Sequence, residues 1–197
     1  AVKCQHGVVA LRQQGRLLPT LTSVSDQMPT SLRRFDNRGF HLVLGGLGGI
    51  GAHLVQNLLQ DENAYVLAIG RSAPTSERNK QLLSKLNKFS ARFEYQALDV
   101  CDADGLARLI RHFEHLWQRP LAYLFNAAGD SHAGFINDMN KPNLLSEIRS
   151  KLLGAEAVEK ALLLSKPKDH ESVEQIHFGS VNGHFGGAGL SLYAAAN

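Results

Sequence analysis

From Phe40 onward short apolar runs alternate with longer amphipathic segments, and this alternation limits the fold more than any other feature of the chain. Runs rich in aliphatic and aromatic residues predict strands at His41–Leu44, Tyr65–Ile69, Phe93–Leu98, Leu121–Phe125 and Gln175–Phe178. Helices are expected between them, near Ile50–Leu59, Ser76–Lys88, Ala103–Trp117 and Leu144–Leu164. In the third, Leu106, Leu109, Ile110, Phe113 and Leu116 recur at intervals of three or four, which lays one apolar stripe against a sheet. Strands separated by helices are joined by crossovers, and crossovers require parallel pairing. The expectation is an α/β class with a doubly wound parallel sheet. Such a sheet places its ligands outside the carboxyl ends of the strands, so the residues following each run are where chemistry is expected.

Residues 1–39 lack a sustained period. Gly7–Leu11 reads as a short strand, Gly15 as a turn and Pro19–Pro29 as a polar connector, so this stretch is expected to be the tail of a preceding unit, with 40–197 the second domain. The first residue is Ala1, and an Ala-rich helical start at Tyr193–Ala196 has no closing glycine. The chain is therefore expected to be cut from a longer one and its sheet to be C-terminally incomplete. With 44% hydrophobic and 20% charged residues among 197, disorder is excluded. The uncharged run Gly39–Val55 carries six glycines and two histidines, which is wrong for a membrane helix. Cys4 and Cys101 alone form no disulfide framework, so a reducing, cytoplasmic setting is expected. The net charge of +3 is dispersed, so no nucleic acid partner is expected. His112 and His115 lie three apart on a helix, but no third ligand follows at a telling spacing, so no metal is expected.

The first predicted strand runs into Gly45-Gly46-Leu47-Gly48-Gly49-Ile50-Gly51 and then a helix. Glycines let the backbone turn tightly against a pyrophosphate, whose charge suits free N–H groups at a helix start; a dinucleotide site is expected. The second strand ends at Arg71 and Ser72 instead of the acid that suits a ribose 2′-hydroxyl, and a planar cation there favours a 2′-phosphate, hence NADPH. The third ends at Asp99-Val100, where the carboxylate either accepts from an adenine amino group or, like Asp102, caps the next helix. The fourth runs into Asn126-Ala127-Ala128-Gly129, small residues that let a cofactor lie against the backbone.

After the fifth strand comes Ser180, with Tyr193 thirteen residues later. Two hydroxyls can serve one carbonyl oxygen, one stabilising the oxyanion and the other delivering a proton as hydride reaches carbon. A phenol near pKa 10 needs a cation beside it for that work. The glycine turn, Asn126–Gly129, Ser180 and Tyr193 together resemble the short-chain dehydrogenase/reductase superfamily, which usually carries lysine four residues after the tyrosine. Here that position is Asn197, and Lys151 stands in a Lys-x-x-Gly setting on the preceding helix. The exchange is similar to the ketoreductase domains of modular polyketide synthases, as is Phe178–Gly183 with Gly186–Gly189.

The resemblance implies a Rossmann-like sheet and the reduction, by NADPH, of a β-ketoacyl thioester on an acyl carrier protein, within a synthase of neighbouring domains. It implies that Ser180 holds the ketone oxygen and Tyr193 protonates it. Lys151 would bind the nicotinamide ribose and depress the tyrosine pKa, with Asn197 ordering that network. It also implies that Val9–Arg12 with Arg16 closes a preceding structural subdomain. The sequence departs from the family at Leu44, where threonine is usual, and at Gly179, the first of a common serine pair. Ser131-His132-Ala133 and Phe185 replace the Leu-Asp-Asp and tryptophan that mark its two stereochemical classes. Two other readings are a catalytically silent ketoreductase-like scaffold and a stand-alone short-chain dehydrogenase. A Ser-His hydrolase using His184 is disfavoured because Ser180 lacks a Gly-x-Ser-x-Gly elbow.

Overall fold

Phe40–Leu44, the strand β3, is buried at every residue, as a strand must be when helices cover both faces of its sheet. In this computed structural model, which describes residues 10–13, 15–18, 35, 39–129, 134–138, 142, 145, 148–166 and 172–197, β3 is the middle of a five-stranded sheet. Its partners are β4 (Tyr65–Gly70), β5 (Phe93–Ala97), β6 (Leu121–Asn126) and β7 (Glu174–His177), in the order β5-β4-β3-β6-β7. Every neighbouring pair is parallel. Each of the five expected strands is present, displaced by no more than one residue at either end. Leu44 pairs with Ile69 and Asn126, Gly70 with Ala97, and Asn126 with His177, so the carboxyl ends finish level and form one rim. The chain reverses its winding between β3 and β6, which makes the crevice above them the topological switch point.

The helices are α1 (Gly49–Leu58), α2 (Glu77–Leu86), α3 (Ala103–Trp117), α4 (Gly154–Ser165), α5 (Asn182–Phe185) and α6 (Ser191–Ala196). A 3₁₀ turn, Asn87–Phe89, prolongs α2, and a π-helical turn, Arg149–Leu153, leads into α4. The boundaries of α3 have local causes. Asp102 accepts from Gly105 N–H at 2.8 Å as its N-cap, and Gln118 ends it in the left-handed region at φ 52°. Its stripe of Leu106, Ile110 and Phe113 joins Leu42, Leu67 and Leu124 from the sheet and Val158, Ala161 and Leu162 from α4 in one core. Trp117 closes that core edge-on to Phe40 and Tyr65, each at 5.4 Å.

The chain divides into two units, Ala1–Phe35 and Asp36–Asn197. In the first, β1 (Ala10–Arg12) pairs antiparallel with β2 (Gly15–Leu17). Gly15, expected as a turn, instead opens β2 at φ +118°, a torsion glycine adopts freely beside a tight reversal. The expected Leu144 start of the fourth helix and the triplet Ser131–Ala133 lie outside the described residues. Among the described residues no helix is long and apolar enough to cross a membrane.

Candidate active site

The glycine-rich turn after β3 is shaped by the chain's own contacts. Gly45 sits at φ +74°, and a Cβ there would stand 2.9 Å from the Ala127 carbonyl oxygen. Gly45 and Gly46 both donate to the Ile69 carbonyl, at 2.8 and 3.1 Å, and Gly48 donates to Gly45 O at 2.8 Å. A Cβ on Gly46 would lie 2.6 Å from Ala68 Cβ, and one on Gly51 only 2.1 Å from Gly45 O. Those three positions must be glycine for the turn to exist. At Gly49 an added Cβ would meet nothing within 4 Å, and α1 begins there without a side-chain cap. An uncapped first turn with an open approach suits the charge of a pyrophosphate. Leu44, where a threonine hydroxyl is usual, is wholly buried in the core, and the backbone bonds to Ile69 O brace the turn in its place.

Beside this turn lies a cleft of about 370 Å³ over the ends of β3, β4, β5 and β6. Gly45, Leu47, Gly48, Arg71, Ser72, Asp99, Val100, Ala128 and Gly129, all expected around a cofactor, line it. Gly46, Gly49, Ile50, Gly51, Asn126 and Ala127 are not part of the lining. Ile50 is 61% exposed on α1. Asn126 is buried, with its amide nitrogen 3.4 Å from His177 Nδ1 and its Oδ1 accepting from Ala128 N–H at 3.3 Å, so it braces the β6–β7 end. Asp99 does not cap α3, a task Asp102 performs. Its Oδ1 accepts from Cys101 N–H and its Oδ2 from Arg149, both at 2.9 Å. Burial works to raise the Asp99 pKa, but these hydrogen bonds and the Arg149 charge outweigh it and hold the carboxyl below its ordinary value.

The lining also contains Ser76, Arg78, Asn79, Tyr95, Arg149 and Ser150. Sequence reasoning missed them because they sit on or at the start of helical segments or inside a strand, away from the strand ends. Ser150 Oγ is buried and finds no hydrogen-bond partner among the described residues. A polar lining that includes an orphaned hydroxyl fits a ligand rich in donors and acceptors.

Lys151 rises from the π-helical turn, an insertion that re-aims side chains and is common at functional sites. Its Nζ donates to the carbonyl of Phe178, just past β7. The missing side chain of Gly129 makes room, since a Cβ there would stand 2.9 Å from Lys151 Cε. Partial burial pulls the amine's pKa below its ordinary value. The amine therefore sits where β6 and β7 end.

Ser180 follows two residues after Phe178, and its Oγ accepts from Asn182 N–H at 3.2 Å. Asn197 donates from Nδ2 to Tyr193 O at 2.8 Å, and its Oδ1 is buried without a partner among the described residues. Gly183 lies against Asn197, since a Cβ on it would fall 2.8 Å from the Asn197 carbonyl carbon, which ties α5 to the end of α6. Among the described residues, Lys151 bonds to the Phe178 carbonyl and not to the Tyr193 phenol, and the Ser180 and Tyr193 side chains do not bond each other. His184 is exposed and packs edge-on to Phe185 at 4.7 Å.

Known proteins share this fold. The chain is 27% identical over 186 residues to polyketide synthase PksL of Bacillus subtilis (strain 168), covering 94% of this chain and only 4% of that synthase. It superposes with a TM-score of 0.72 and 25% identity on PlmKR1, the ketoreductase from the first module of phoslactomycin biosynthesis in Streptomyces sp. HK803, covering 96% of this chain and 42% of that one. ElxO with NADP bound shares the fold at a TM-score of 0.66 and 22% identity, covering 81% of this chain and 62% of that one. Residues 39–197, which hold the whole parallel sheet, the cleft and the Lys151–Phe178 contact, match the family model of the KR domain. The chain thus belongs to the KR-domain family of ketoreductases, within the short-chain dehydrogenase/reductase fold.

Proposed function

We propose that this chain reduces a β-ketoacyl thioester, carried on an acyl carrier protein, to the β-hydroxyacyl thioester with NADPH, as the ketoreductase domain of a cytoplasmic polyketide synthase. Neighbouring synthase domains would be its other partners, and residues 1–39 the close of a preceding structural subdomain. The observation that carries the reading is the seat of Lys151, half-buried on the Phe178 carbonyl at the strand ends beside the cleft.

NADPH, when bound, supplies the hydride. The turn Gly45–Gly51 and the start of α1 hold the pyrophosphate, Arg71 and Ser72 the 2′-phosphate, and Ala128 and Gly129 give the cofactor room against the backbone. Tyr193 gives its phenolic proton to the ketone oxygen as that oxygen gains charge. The Ser180 hydroxyl already accepts from Asn182 N–H, which leaves its own hydrogen to donate to the same oxygen. The Lys151 ammonium binds the nicotinamide ribose. Asn197 Oδ1 is a buried acceptor with capacity to order that network.

The test follows the absorbance of the reduced nicotinamide with a β-ketoacyl thioester in the full-length protein and its Tyr193→Phe variant. Turnover is expected to fall about 10²- to 10⁴-fold, the usual worth of a positioned general acid, with a far smaller change in NADPH affinity. Equal turnover in both would reject the assigned mechanism.

A further inference from the structure

The stretch between β4 and α2 carries the charge at one side of the cleft, and two side chains without a part in the chemistry hold its shape from below. Asn79, on α2, is 4% exposed, and its Nδ2 donates to Ser72 O at 3.2 Å and to Ala73 O at 2.9 Å. Tyr95, on β5, donates its hydroxyl to the same Ser72 carbonyl at 2.6 Å, and Asn79 Nδ2 stands 3.5 Å from that hydroxyl. A Cβ on Gly70 would meet Tyr95 Oη at 3.0 Å, so phenol and strand end are in contact. Loop carbonyls normally turn to water; here two of them are tied to buried side chains.

A buried amide costs free energy unless its bonds are made. An apolar residue at position 79 would fill the inner face of α2 as well, so its amide serves the shape of the loop. Arg71, Ser72, Ser76 and Arg78 line the cleft around this clamp. A guanidinium on a loose loop must be ordered as it binds, whereas one on a pinned loop is already in place.

We propose that Asn79 and Tyr95 are positioning residues for cofactor selectivity, pinning the 71–76 loop so that Arg71 and Arg78 share the recognition of a phosphate on the 2′ position of the adenosine ribose. The inference rests on the NADPH reading given above. Arg78 adds a second planar cation, beyond the one marked by the strand end, and a phosphate with three acceptor oxygens can take both forks.

Calorimetric titration of the full-length protein with 2′,5′-ADP and with 5′-AMP isolates the 2′-phosphate without any turnover. Wild type is expected to bind 2′,5′-ADP at least about 10-fold more tightly, the worth of a charge-assisted phosphate contact. Equal affinities there overturn the NADPH reading and the clamp with it. Asn79→Ala, Tyr95→Phe and Arg78→Gln should each cut the 2′,5′-ADP to 5′-AMP ratio about 5- to 10-fold, and the NADPH to NADH ratio of kcat/KM should follow. A wild-type preference that survives intact in Asn79→Ala and Tyr95→Phe overturns the clamp and leaves the NADPH reading standing. Proportional loss of both nucleotides marks a merely structural role and also overturns it. Tyr95→Phe removes one hydroxyl and keeps the ring, so it remains informative if Asn79→Ala fails to fold.

Discussion

Acid should destabilise this fold through His41, a residue on β3 with no part in the proposed chemistry. Its imidazole is 0% exposed, stacked on Tyr123 at 5.3 Å and tilted against Phe125 at 6.2 Å. Burial pushes its pKa from 6.5 to about 4, against a smaller upward pull from the Asp61 charge. The folded chain therefore keeps the ring neutral over a range in which the unfolded chain protonates it. Stability from this group is fully present above pH 6.5. It is lost as the pH falls through the folded value, below which both states carry the proton. At 1.36 kcal/mol per pH unit the whole loss is about 3 kcal/mol, of which about 2 kcal/mol falls between pH 7.5 and pH 5. That is a large share of the roughly 5–15 kcal/mol that holds a domain folded. The assay is urea denaturation of wild type and His41→Leu at those two pH values. Asp99, whose pKa is lowered, titrates below this window, so the difference between the two proteins isolates the imidazole. The leucine variant should lose most of the pH dependence. Parallel stability curves for the two proteins would refute the claim that the buried ring sets the acid limit.

Gly51→Ala puts a methyl 2.1 Å from Gly45 O, where only backbone movement can relieve the overlap. It should cost about 1–3 kcal/mol in denaturant unfolding and weaken nucleotide binding by opening the glycine turn, read by the same calorimetric titration. Asp102→Ala removes the N-cap of α3 and should lower stability by about 1 kcal/mol without altering the 2′,5′-ADP to 5′-AMP ratio. Arg92 donates to Asp61 O, Ala64 O and Leu59 O at 2.7, 3.0 and 2.8 Å, gathering the carbonyls after α1. Arg92→Lys should destabilise nearly as much as Arg92→Ala, about 1–3 kcal/mol by thermal or urea unfolding, because an ammonium cannot span three carbonyls with a planar fork.

What the sequence by itself determined is whatever depends on neighbours along the chain. Strand and helix order followed from hydrophobic period, and α3 came out with its expected bounds because its cap and its left-handed stop are local. The glycine turn was legible for the same reason. The roles of its glycines were not, since Gly46 is required by Ala68 on β4 and Gly45 by Ala127 just past β6. Tertiary structure alone showed that Asp99 does not cap α3 but pairs with Arg149, which lies 50 residues away. It likewise decided where the Lys151 amine rests, on a carbonyl 27 residues ahead. Arg78, Asn79 and Tyr95 carried no mark in the sequence: a polar residue on a helix reads as solvated until the sheet brings a loop above it. Periodicity records which side of an element faces the core, while a site is made by the few side chains that distant elements bring within hydrogen-bonding reach, a property of register and crossing that no local pattern encodes.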